Sequence, residues 1–468
     1  MKKRYVDVAV IGAGSAGMRA FRAARAWTDK VVLIEGGEYG TTCARVGCMP
    51  SKLLIAAAEA AHAVHQAPEF GVNSRGVDID GVAVMDRVRR ERDRFVGFVV
   101  DSVKNIPEAQ RIQGRARFLD DHRIQVGEHT IVDARRIVIA TGSTPSFPKS
   151  FDELGERLVV NDDIFEWRSL PGSVAVFGPG VIGLELGQAL SRLGVEVLMF
   201  GLGGQVGPLT DPVVMDSARQ TFSQQFYLDA DAKVQRMERV EDGVSIAYTG
   251  PDGRNRVAIV DYVIAATGRA PNVSGLGLEN TSLPLDARGI PEFDAQTLQI
   301  GQSHAFIAGD VNNDRPLLHE AADEGNIAGD NAGRFPHVQP GLRRSPLGIV
   351  FTEPQIAMVG SRHSDLSNKD FIVGEVSFAD QGRSRVMLKN QGLLRVYADP
   401  YDGRFLGAEM FGPRAEHLGH LLAWAHQSNM TVGQMLDMPF YHPVIEEGLR
   451  TALRDVHKQL HKRVLRAA

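Results

Sequence analysis

The sequence predicts an α/β fold with more than one domain, and three observations lead to this prediction. The chain has 468 residues, which is too long for a single hydrophobic core. Two short runs rich in β-branched residues are each followed by a glycine-rich turn, a helical segment and another apolar strand, which is the order of a parallel-sheet unit. The composition, 43% hydrophobic and 23% charged, is that of an ordinary globular protein.

The first of these units lies at the amino terminus. Its strand is Val6–Ile11, its helix runs from Met18 to Trp27, and the next strand is Val31–Ile34, followed by Glu35. The turn has the spacing Gly-x-Gly-x-x-Gly and consists of Gly12, Ala13, Gly14, Ser15, Ala16 and Gly17. The first glycine allows the turn, the second lets the backbone approach a pyrophosphate, and the third permits close helix packing, while the acid can bind a ribose. We therefore expect a Rossmann-like dinucleotide site here.

The same order recurs between Val174 and Phe200. The second turn consists of Gly178, Pro179, Gly180, Val181, Ile182 and Gly183. The acid of the first unit lies 23 positions after its first glycine (35 minus 12), but the equivalent position here (178 plus 23) is Gly201. No Lys or Arg occurs between Arg192 and Arg219 to hold a 2′-phosphate, so NAD is favoured and NADP stays open.

Three later apolar strands are expected to end at the ligand edge of the two sheets. Two of them end in Ala-Thr-Gly, and the residues placed there are Thr141, Gly142, Gly268 and Arg269. The third delivers the carboxylate of Asp310, for which a helix cap is the alternative interpretation.

The net charge and the distribution of apolar residues argue against two classes of partner, nucleic acids and membranes. A formal net charge of -5 argues against a nucleic-acid partner. No signal segment and no apolar run of about 18 residues is present, so we expect a cytoplasmic protein without a membrane partner.

The chain has two cysteines, Cys43 and Cys48, close together in the sequence. In a reducing compartment such a pair is more often catalytic or metal-binding than structural. A zinc site needs about four ligands, and no second Cys/His cluster has suitable spacing, so we expect no metal. A thiol pair beside a bound redox cofactor can instead carry two electrons.

Taken together, these motifs resemble the flavoprotein disulfide reductases, and among them the dihydrolipoamide dehydrogenases most. The resemblance covers essentially the whole chain and adds the segments Gly268–Asn272, Leu318–Ala321 and Pro439–Gly448 to the fingerprints and the cysteine box. Three positions depart from the family pattern, namely Thr41 for a glycine, Arg45 for an asparagine and Val444 for a threonine.

The resemblance implies three domains. An FAD-binding domain covers 1–150 and 273–345, an NAD(P)-binding domain covers 151–272, and an α+β interface domain over 346–468 makes a homodimer. The fold class is thus α/β, with two Rossmann-like dinucleotide-binding domains plus a carboxyl-terminal α+β dimerisation domain.

The resemblance also implies which residues hold the cofactors. Those on the FAD side are Gly12, Gly14, Gly17, Glu35, Thr42, Lys52, Ala116, Gly142, Asp310 and Leu318. Those on the nicotinamide side are Gly178, Gly180, Gly183, Val234 and Gly268. We include with them the remaining turn and wall residues Ala13, Ser15, Ala16, Thr141, Val181, Ile182 and Arg269.

For the thiol pair, the sequence and the resemblance agree. Cys48 opens a helix expected over Ser51–His65, where the helix dipole stabilises a thiolate, so Cys48 is the sulfur nearest the flavin. Cys43 is then the sulfur that exchanges with substrate. The resemblance further pairs Lys52 with Glu185 beside the flavin.

The resemblance places a catalytic base in the carboxyl-terminal segment. His442 accepts the substrate proton, Glu447 orients it, and the histidine reaches across the homodimer so that the active sites are shared. In this hypothesis a monomer is inactive.

The expected activity follows from these assignments. The chain has no second redox cysteine pair, which leaves lipoyl and glutathione-type substrates, and the missing NADP arginines favour lipoyl. We expect an NAD-dependent dihydrolipoyl dehydrogenase-like oxidoreductase that moves two electrons between a nicotinamide and a small disulfide or dithiol. The alternatives are a glutathione-type or other low-molecular-weight disulfide reductase, a quinone reductase, and a redox-sensing flavoprotein.

Overall fold

The computed structural model describes residues 1–467, so Ala468 of the predicted interface domain lies outside the described residues. The strands are, in chain order, β1 (Lys2–Ile11), β2 (Val31–Glu35), β3 (Arg111–Gln113), β4 (Ala116–Phe118), β5 (Arg123–Val126), β6 (Thr130–Ile139), β7 (Ser143–Pro145), β8 (Leu158–Val159), β9 (Ser173–Phe177), β10 (Glu196–Phe200), β11 (Tyr227–Asp229), β12 (Lys233–Val240), β13 (Gly243–Thr249), β14 (Asn255–Val260), β15 (Tyr262–Ala265), β16 (Arg269–Pro271), β17 (Ala305–Ile307), β18 (Leu347–Val350), β19 (Gln355–Gly360), β20 (Ile372–Ser377), β21 (Leu393–Ala398) and β22 (Phe405–Gly412).

The α-helices are α1 (Ser15–Arg25), α2 (Thr42–Val46), α3 (Cys48–Gln66), α4 (Gly81–Lys104), α5 (Asn161–Ile164), α6 (Val181–Arg192), α7 (Pro212–Ser223), α8 (Leu318–Arg334), α9 (Gly382–Val386), α10 (Ala415–Gln427), α11 (Val432–Leu436) and α12 (Glu446–Ala467).

The chain divides into two compact units. Unit 1 comprises Met1–Leu53, Asp86–Ser146 and Gly268–Arg343, and unit 2 comprises Leu54–Met85, Phe147–Thr267 and the chain from Arg344 onward. The three predicted domains with their limits at 150, 272 and 345 stay predictions.

Unit 1 is built on a seven-stranded sheet. Its strand order is β3-β2-β1-β6-β5-β4, with β17 also paired to β6. The pairs β1–β2, β1–β6, β2–β3 and β6–β17 are parallel, whereas β4–β5 and β5–β6 are antiparallel. The parallel part brings the carboxyl ends of β1, β6 and β17 to one edge, which is where such sheets bind ligands.

Both faces of this sheet are covered. Along β1, Val8 and Val10 belong to one buried cluster, while Ala9 and Ile11 belong to another, as the alternation of side chains along a strand requires. This double burial explains why the strand is a nearly continuous apolar run in the sequence.

Unit 2 contains a second parallel sheet, of order β11-β10-β9-β15-β8. The antiparallel strands β12, β13 and β14 form a separate three-stranded sheet. The two sheets share a buried cluster in which Phe200 packs edge-on against Tyr227 and Tyr248, at ring-centroid distances of 5.8 and 5.0 Å.

The carboxyl-terminal part of unit 2 is α+β. Its antiparallel sheet has the order β18-β19-β22-β21-β20, and buried residues of α10 and α12, such as Leu418 and Leu453, belong to the same core as the sheet. The buried Asp211 at the start of α7 binds Arg395 and Tyr397 of β21, at 2.8 and 2.9 Å, which ties the parallel-sheet part of unit 2 to this sheet. Together with the two parallel sheets, this architecture confirms the predicted fold class.

The predicted element limits differ from the observed ones mainly at the ends. The first strand begins at Lys2 rather than Val6, and the helix after the cysteines begins at Cys48 rather than Ser51. In the first case β1 extends because Lys2–Val6 pairs with β6, a long-range contact that the sequence pattern does not contain.

Candidate active site

The fingerprint turn of unit 1 combines two crowded glycines with an open one. A Cβ at Gly12, where φ is +108°, would lie 2.2 Å from the carbonyl oxygen of Ala140, and a Cβ at Gly17 would lie 1.8 Å from that of Gly12. A Cβ at Gly14 would meet nothing within 4 Å. Gly14 also caps α1 without any side-chain hydrogen bond, so no capping side chain occupies the amino terminus of the helix. This cradle fits a pyrophosphate.

The carboxylate of Glu35 is fixed beside this turn. It ends β2, and its two oxygens accept hydrogen bonds from the backbone N–H groups of Ala13 and Gly37, each at 2.7 Å. The carboxylate therefore has a defined position at the carboxyl end of the strand, where it can accept hydrogen bonds from ribose hydroxyls.

The Asp310 carboxylate belongs to a hydrogen-bond chain at the same edge. Ser143 donates to Asp310 Oδ2 at 2.8 Å, and Arg269 donates through Nε to the Ser143 hydroxyl and through an Nη to the Ser143 carbonyl, both at 2.8 Å. This explains the position of Arg269, which lies in unit 1 on β16, paired with β7. Gly268 also lies in unit 1, where its carbonyl accepts from the Ser146 N–H. Its predicted nicotinamide contact stays a prediction.

A buried carboxylate under the Gly309–Asp310 turn was missed by the sequence analysis. Glu324 on α8 is fully buried, and its Oε2 accepts hydrogen bonds from the Gly309 N–H and from Asn312, both at 2.7 Å. Arg343 lies 3.0 Å from Oε1. Burial raises the pKa of Glu324, although the Gly309 N–H and Arg343 oppose the shift. Glu324 thus fixes the turn that carries Asp310.

The two cysteines contact each other in unit 1. Both are free thiols; Cys43 is half-buried on α2, and Cys48 is exposed at the first position of α3. The hydrogen bond with Cys48, followed by burial, raises the pKa of the Cys43 thiol, and the charge of Lys52 opposes this only in part. The two sulfur atoms are therefore close enough to interact directly.

The departures around the cysteines leave this arrangement intact. Thr41 keeps a φ of +59°, which is strained for a β-branched residue, and its hydroxyl accepts from the Ala44 N–H at 3.2 Å as the cap of α2. Arg45 turns to the exposed Glu38, with 2.8 Å between Arg45 Nη2 and Glu38 Oε2.

The fingerprint turn of unit 2 repeats the geometry of the first. A Cβ at Gly178 would lie 2.4 Å from the Ala266 carbonyl oxygen, and a Cβ at Gly183 would lie 2.0 Å from that of Gly178. A Cβ at Gly180 would meet nothing within 4 Å, and Gly180 caps α6 without a side-chain hydrogen bond. The second turn therefore also fits a pyrophosphate.

The remaining predicted residues lie at element ends or in strands. Val181 and Ile182 open α6, Val234 lies on β12, Ala116 begins β4, Thr42 begins α2, Leu318 begins α8, and Ala13, Ser15 and Ala16 belong to the first turn and α1. Thr141 is held by Asn272, since each donates from its side chain to the carbonyl of the other. Their contacts with cofactors stay predictions.

Lys52 and Glu185 lie in different units, so their pairing also stays a prediction. In unit 1 the Lys52 ammonium lies 3.3 Å from the Ser51 hydroxyl. In unit 2 the buried Glu185 accepts a hydrogen bond from the Phe351 N–H at 2.9 Å.

His442 and Glu447 form a hydrogen-bonded pair in unit 2. His442 Nδ1 lies 2.9 Å from Glu447 Oε2, and 81% of the His442 side chain is exposed. Arg450 donates to the other oxygen of Glu447, Oε1, at 2.8 Å. The Val444 N–H donates to Glu447 Oε2 at 3.4 Å, so this backbone hydrogen bond is present although valine replaces the family's threonine. Burial acts to raise the pKa of Glu447, but the hydrogen bonds from His442 and the Val444 N–H outweigh it, so the pKa is lowered. The imidazole is thus oriented and open to solvent in this chain.

Within residues 1–467, no helix is long and apolar enough to cross a lipid bilayer. In the same range, no group of three or more His, Cys, Asp or Glu side chains is arranged to hold a metal ion.

Known proteins and families are similar to this chain over most of its length. The family described as pyridine nucleotide-disulphide oxidoreductase matches residues 6–325, and its dimerisation domain matches residues 347–453. The dihydrolipoyl dehydrogenase of Haloferax volcanii is 30% identical over 463 residues, covering 95% of this chain and 95% of that protein. Dihydrolipoyl dehydrogenase 3 of Pseudomonas aeruginosa is 29% identical over 469 residues, covering 96% and 98%.

Two solved structures have the same fold. LpdA from Mycobacterium tuberculosis has a TM-score of 0.82 at 24% identity, covering 96% of this chain and 99% of that one. The flavoprotein disulfide reductase RclA from Escherichia coli, solved as a Cu(II) complex, has a TM-score of 0.81 at 22% identity, covering 97% and 99%.

Proposed function

We propose that this chain, which belongs to the pyridine nucleotide-disulphide oxidoreductase family, is a dihydrolipoyl dehydrogenase. Family membership establishes an oxidoreductase that uses FAD and NAD(P). Relatives that are named dihydrolipoyl dehydrogenase and match nearly the whole chain support the lipoyl substrate. The proposed preference for NAD rests on the absence of Lys and Arg between Arg192 and Arg219.

The observation that carries the proposal is the contact between Cys43 and Cys48 at the start of α3. A thiol pair that can close into a disulfide is the minimum requirement for exchange with a small disulfide or dithiol. In unit 1 the fingerprint turn, Glu35 and Asp310 would hold FAD. When bound, FAD supplies two-electron exchange with a nicotinamide and with a thiol pair.

In the proposed reaction the two cysteines divide the work. The amino terminus of α3 stabilises negative charge on Cys48, which favours its thiolate. Cys43, which is half-buried on α2, is the sulfur that exchanges with substrate. Oxidation of one dihydrolipoyl group breaks the Cys43–Cys48 disulfide and leaves two enzyme thiols and a lipoyl disulfide.

The overall reaction balances. The dithiol loses two electrons and two protons, NAD⁺ takes both electrons and one proton, and the second proton goes to water.

The proton acceptor in this proposal is His442. Glu447 fixes its Nδ1, so Nε2 is the nitrogen that faces the incoming thiol and takes its proton. The exposure of His442 within a single chain supports its action in the partner's active site. The match to a dimerisation domain over residues 347–453 supports a homodimer. We place this homodimer in the cytoplasm, where reducing conditions keep the thiol pair available.

The test is steady-state turnover of the purified FAD-loaded protein with lipoamide and with glutathione disulfide, each with NADH and NADPH. We expect lipoamide to be reduced with NADH far faster than glutathione disulfide. Faster reduction of glutathione disulfide would replace the lipoyl assignment by a glutathione-type one. Reduction of neither disulfide, with electrons passing only to a quinone, would contradict the dehydrogenase.

A further inference from the structure

Unit 2 has no acid directly after β10, at the position that corresponds to Glu35 of unit 1. The residue there is Gly201, 23 positions after Gly178, where unit 1 has Glu35 23 positions after Gly12. A carboxylate from another turn, Asp231, lies beside the loop after β10.

In unit 1 the Glu35 carboxylate is defined by two backbone donors. One is the N–H of Ala13, the second residue of the fingerprint, which donates to Oε2 at 2.7 Å. The other is the N–H of Gly37, two residues after the acid, which donates to Oε1 at 2.7 Å. These two bonds mark the position of the ribose carboxylate relative to the turn.

In unit 2 the residue that corresponds to Gly37 is Gly203, since both lie 25 positions after the first glycine of their fingerprint (37 minus 12 and 203 minus 178). The Gly203 N–H also donates to a carboxylate, at 2.8 Å, but the carboxylate is Asp231 Oδ1. Asp231 lies in the turn between β11 and β12 and is exposed, so its second oxygen is accessible to a ligand.

Unit 2 also lacks the backbone N–H that corresponds to the Ala13 donor of unit 1. The counterpart of Ala13 is Pro179, which has no N–H to offer a carboxylate. No side chain fits at Gly201 either, because a Cβ there would lie 2.6 Å from the Ala230 carbonyl oxygen and 2.8 Å from Pro179 Cγ. The turn that carries Asp231 therefore occupies the space that a side chain at position 201 would need.

The Asp231 backbone is held firmly at this place. The Gly201 N–H donates to the Asp229 carbonyl at 2.7 Å, and the Gly204 N–H donates to the Ala230 carbonyl at 3.0 Å. The Ala232 N–H donates back to the Gly201 carbonyl at 3.0 Å. Three backbone bonds thus join the loop after β10 to the turn on either side of Asp231.

We propose that Asp231 binds the adenosine ribose hydroxyls of the nicotinamide dinucleotide and is the residue that selects NAD over NADP. This inference rests on the proposed function, in which the fold of unit 2 binds the nicotinamide dinucleotide. A carboxylate accepts hydrogen bonds from two ribose hydroxyls but repels a 2′-phosphate. The chain has no Lys or Arg between Arg192 and Arg219 to offset that repulsion.

The experiment measures kcat/KM for NADH and for NADPH with ferricyanide as the electron acceptor, so that no disulfide substrate is needed. The variants of the full-length, FAD-loaded protein are Asp231→Asn and Asp231→Glu. Asn keeps an oxygen for the Gly203 N–H but removes the charge, and Glu keeps the charge. The matched control is Asp242→Asn, an exposed acid in the β12–β13 turn of the same unit. The ratio of the two kcat/KM values cancels any difference in the amount of folded enzyme.

We expect the wild type to prefer NADH and Asp231→Asn to lower the NADH-to-NADPH ratio by about ten- to a hundredfold, mainly through KM. Asp231→Glu should retain most of the preference, and Asp242→Asn should leave it unchanged. An active wild type without preference for NADH, or an unchanged ratio in Asp231→Asn, overturns the inference alone. A wild type that oxidises neither nucleotide overturns the proposed nicotinamide site as well.

Discussion

In unit 1 the carboxylate beside the fingerprint belongs to the strand that follows the fingerprint helix. In unit 2 that strand ends at Phe200, and the carboxylate beside the following loop is Asp231, from the turn between β11 and β12. The turns themselves are nearly alike, each with two crowded glycines and one open glycine. The backbone shape that fits a pyrophosphate is therefore fixed by sequence spacing, while the carboxylate beside each turn is set by tertiary packing. The units also differ in that unit 1 carries the thiol pair.

The largest expected effect is the loss of disulfide reduction, without loss of NADH oxidation, when a cysteine of the thiol pair is replaced. Replacing Cys43 with Ser removes the exchanging sulfur but no residue of unit 2, so lipoamide reduction should fall by about a thousandfold or more. NADH oxidation with ferricyanide should persist, because it needs only the two cofactors. Parallel assays of the two activities make the measurement, and loss of both together would contradict the division.

The crowded glycines give the next largest effect. Ala at Gly12 or Gly178 places a Cβ 2.2 or 2.4 Å from a carbonyl oxygen at a positive φ, which should destabilise the affected fold by about 3 kcal/mol or more. We expect Gly12→Ala to be purified without FAD, and Gly178→Ala to retain FAD but oxidise NADH poorly. Visible absorbance and the ferricyanide assay measure these two outcomes.

Two further variants are the matched controls for crowding. Ala at Gly14 or Gly180 meets nothing within 4 Å, so the folds should remain intact and only pyrophosphate binding should weaken. Equal losses of melting temperature in all four variants would show that the crowding argument is wrong.

A smaller effect concerns the carboxylate that orients His442. Glu447→Gln keeps the size of the side chain but removes its charge, so lipoamide turnover should fall by about ten- to a hundredfold, less than on loss of the base. The charged Glu447 carboxylate of the wild type stabilises the folded state at pH values above the ordinary carboxyl pKa. This stabilisation is lost as the pH falls through the lowered pKa of Glu447. Unchanged lipoamide turnover over the whole pH range would remove Glu447 from the proposed mechanism.

The smallest effect is a pH dependence in unit 2. Burial, followed by the charges of Arg192 and Lys389, lowers the pKa of His62 to about 4. Between that value and its ordinary pKa of about 6.5, only the unfolded chain binds the proton, so stability falls as pH decreases. His62→Gln should reduce the loss between pH 7 and pH 5 by about 1 kcal/mol, as measured by chemical denaturation. An identical pH slope in wild type and variant would contradict this.

Local features were predictable from the sequence, and long-range ones were not. The fingerprint turns and the helix after Cys48 follow from glycine spacing and apolar periodicity, which act over a few residues. Asp231 lies 30 positions beyond Gly201 (231 minus 201), and Glu324 lies 15 positions beyond Gly309 (324 minus 309), so no local pattern links them to the turns they bind. Only folding brings these carboxylates to their backbone donors.

The most direct measurement is a crystal structure of the protein with FAD and NAD⁺ bound. We predict a Glu35 oxygen within about 3.2 Å of an FAD ribose hydroxyl and an Asp231 oxygen within about 3.2 Å of an NAD⁺ ribose hydroxyl. An NAD⁺ ribose held by other groups while Asp231 faces solvent would contradict the account, as would FAD in unit 2 or NAD⁺ on the fingerprint of unit 1.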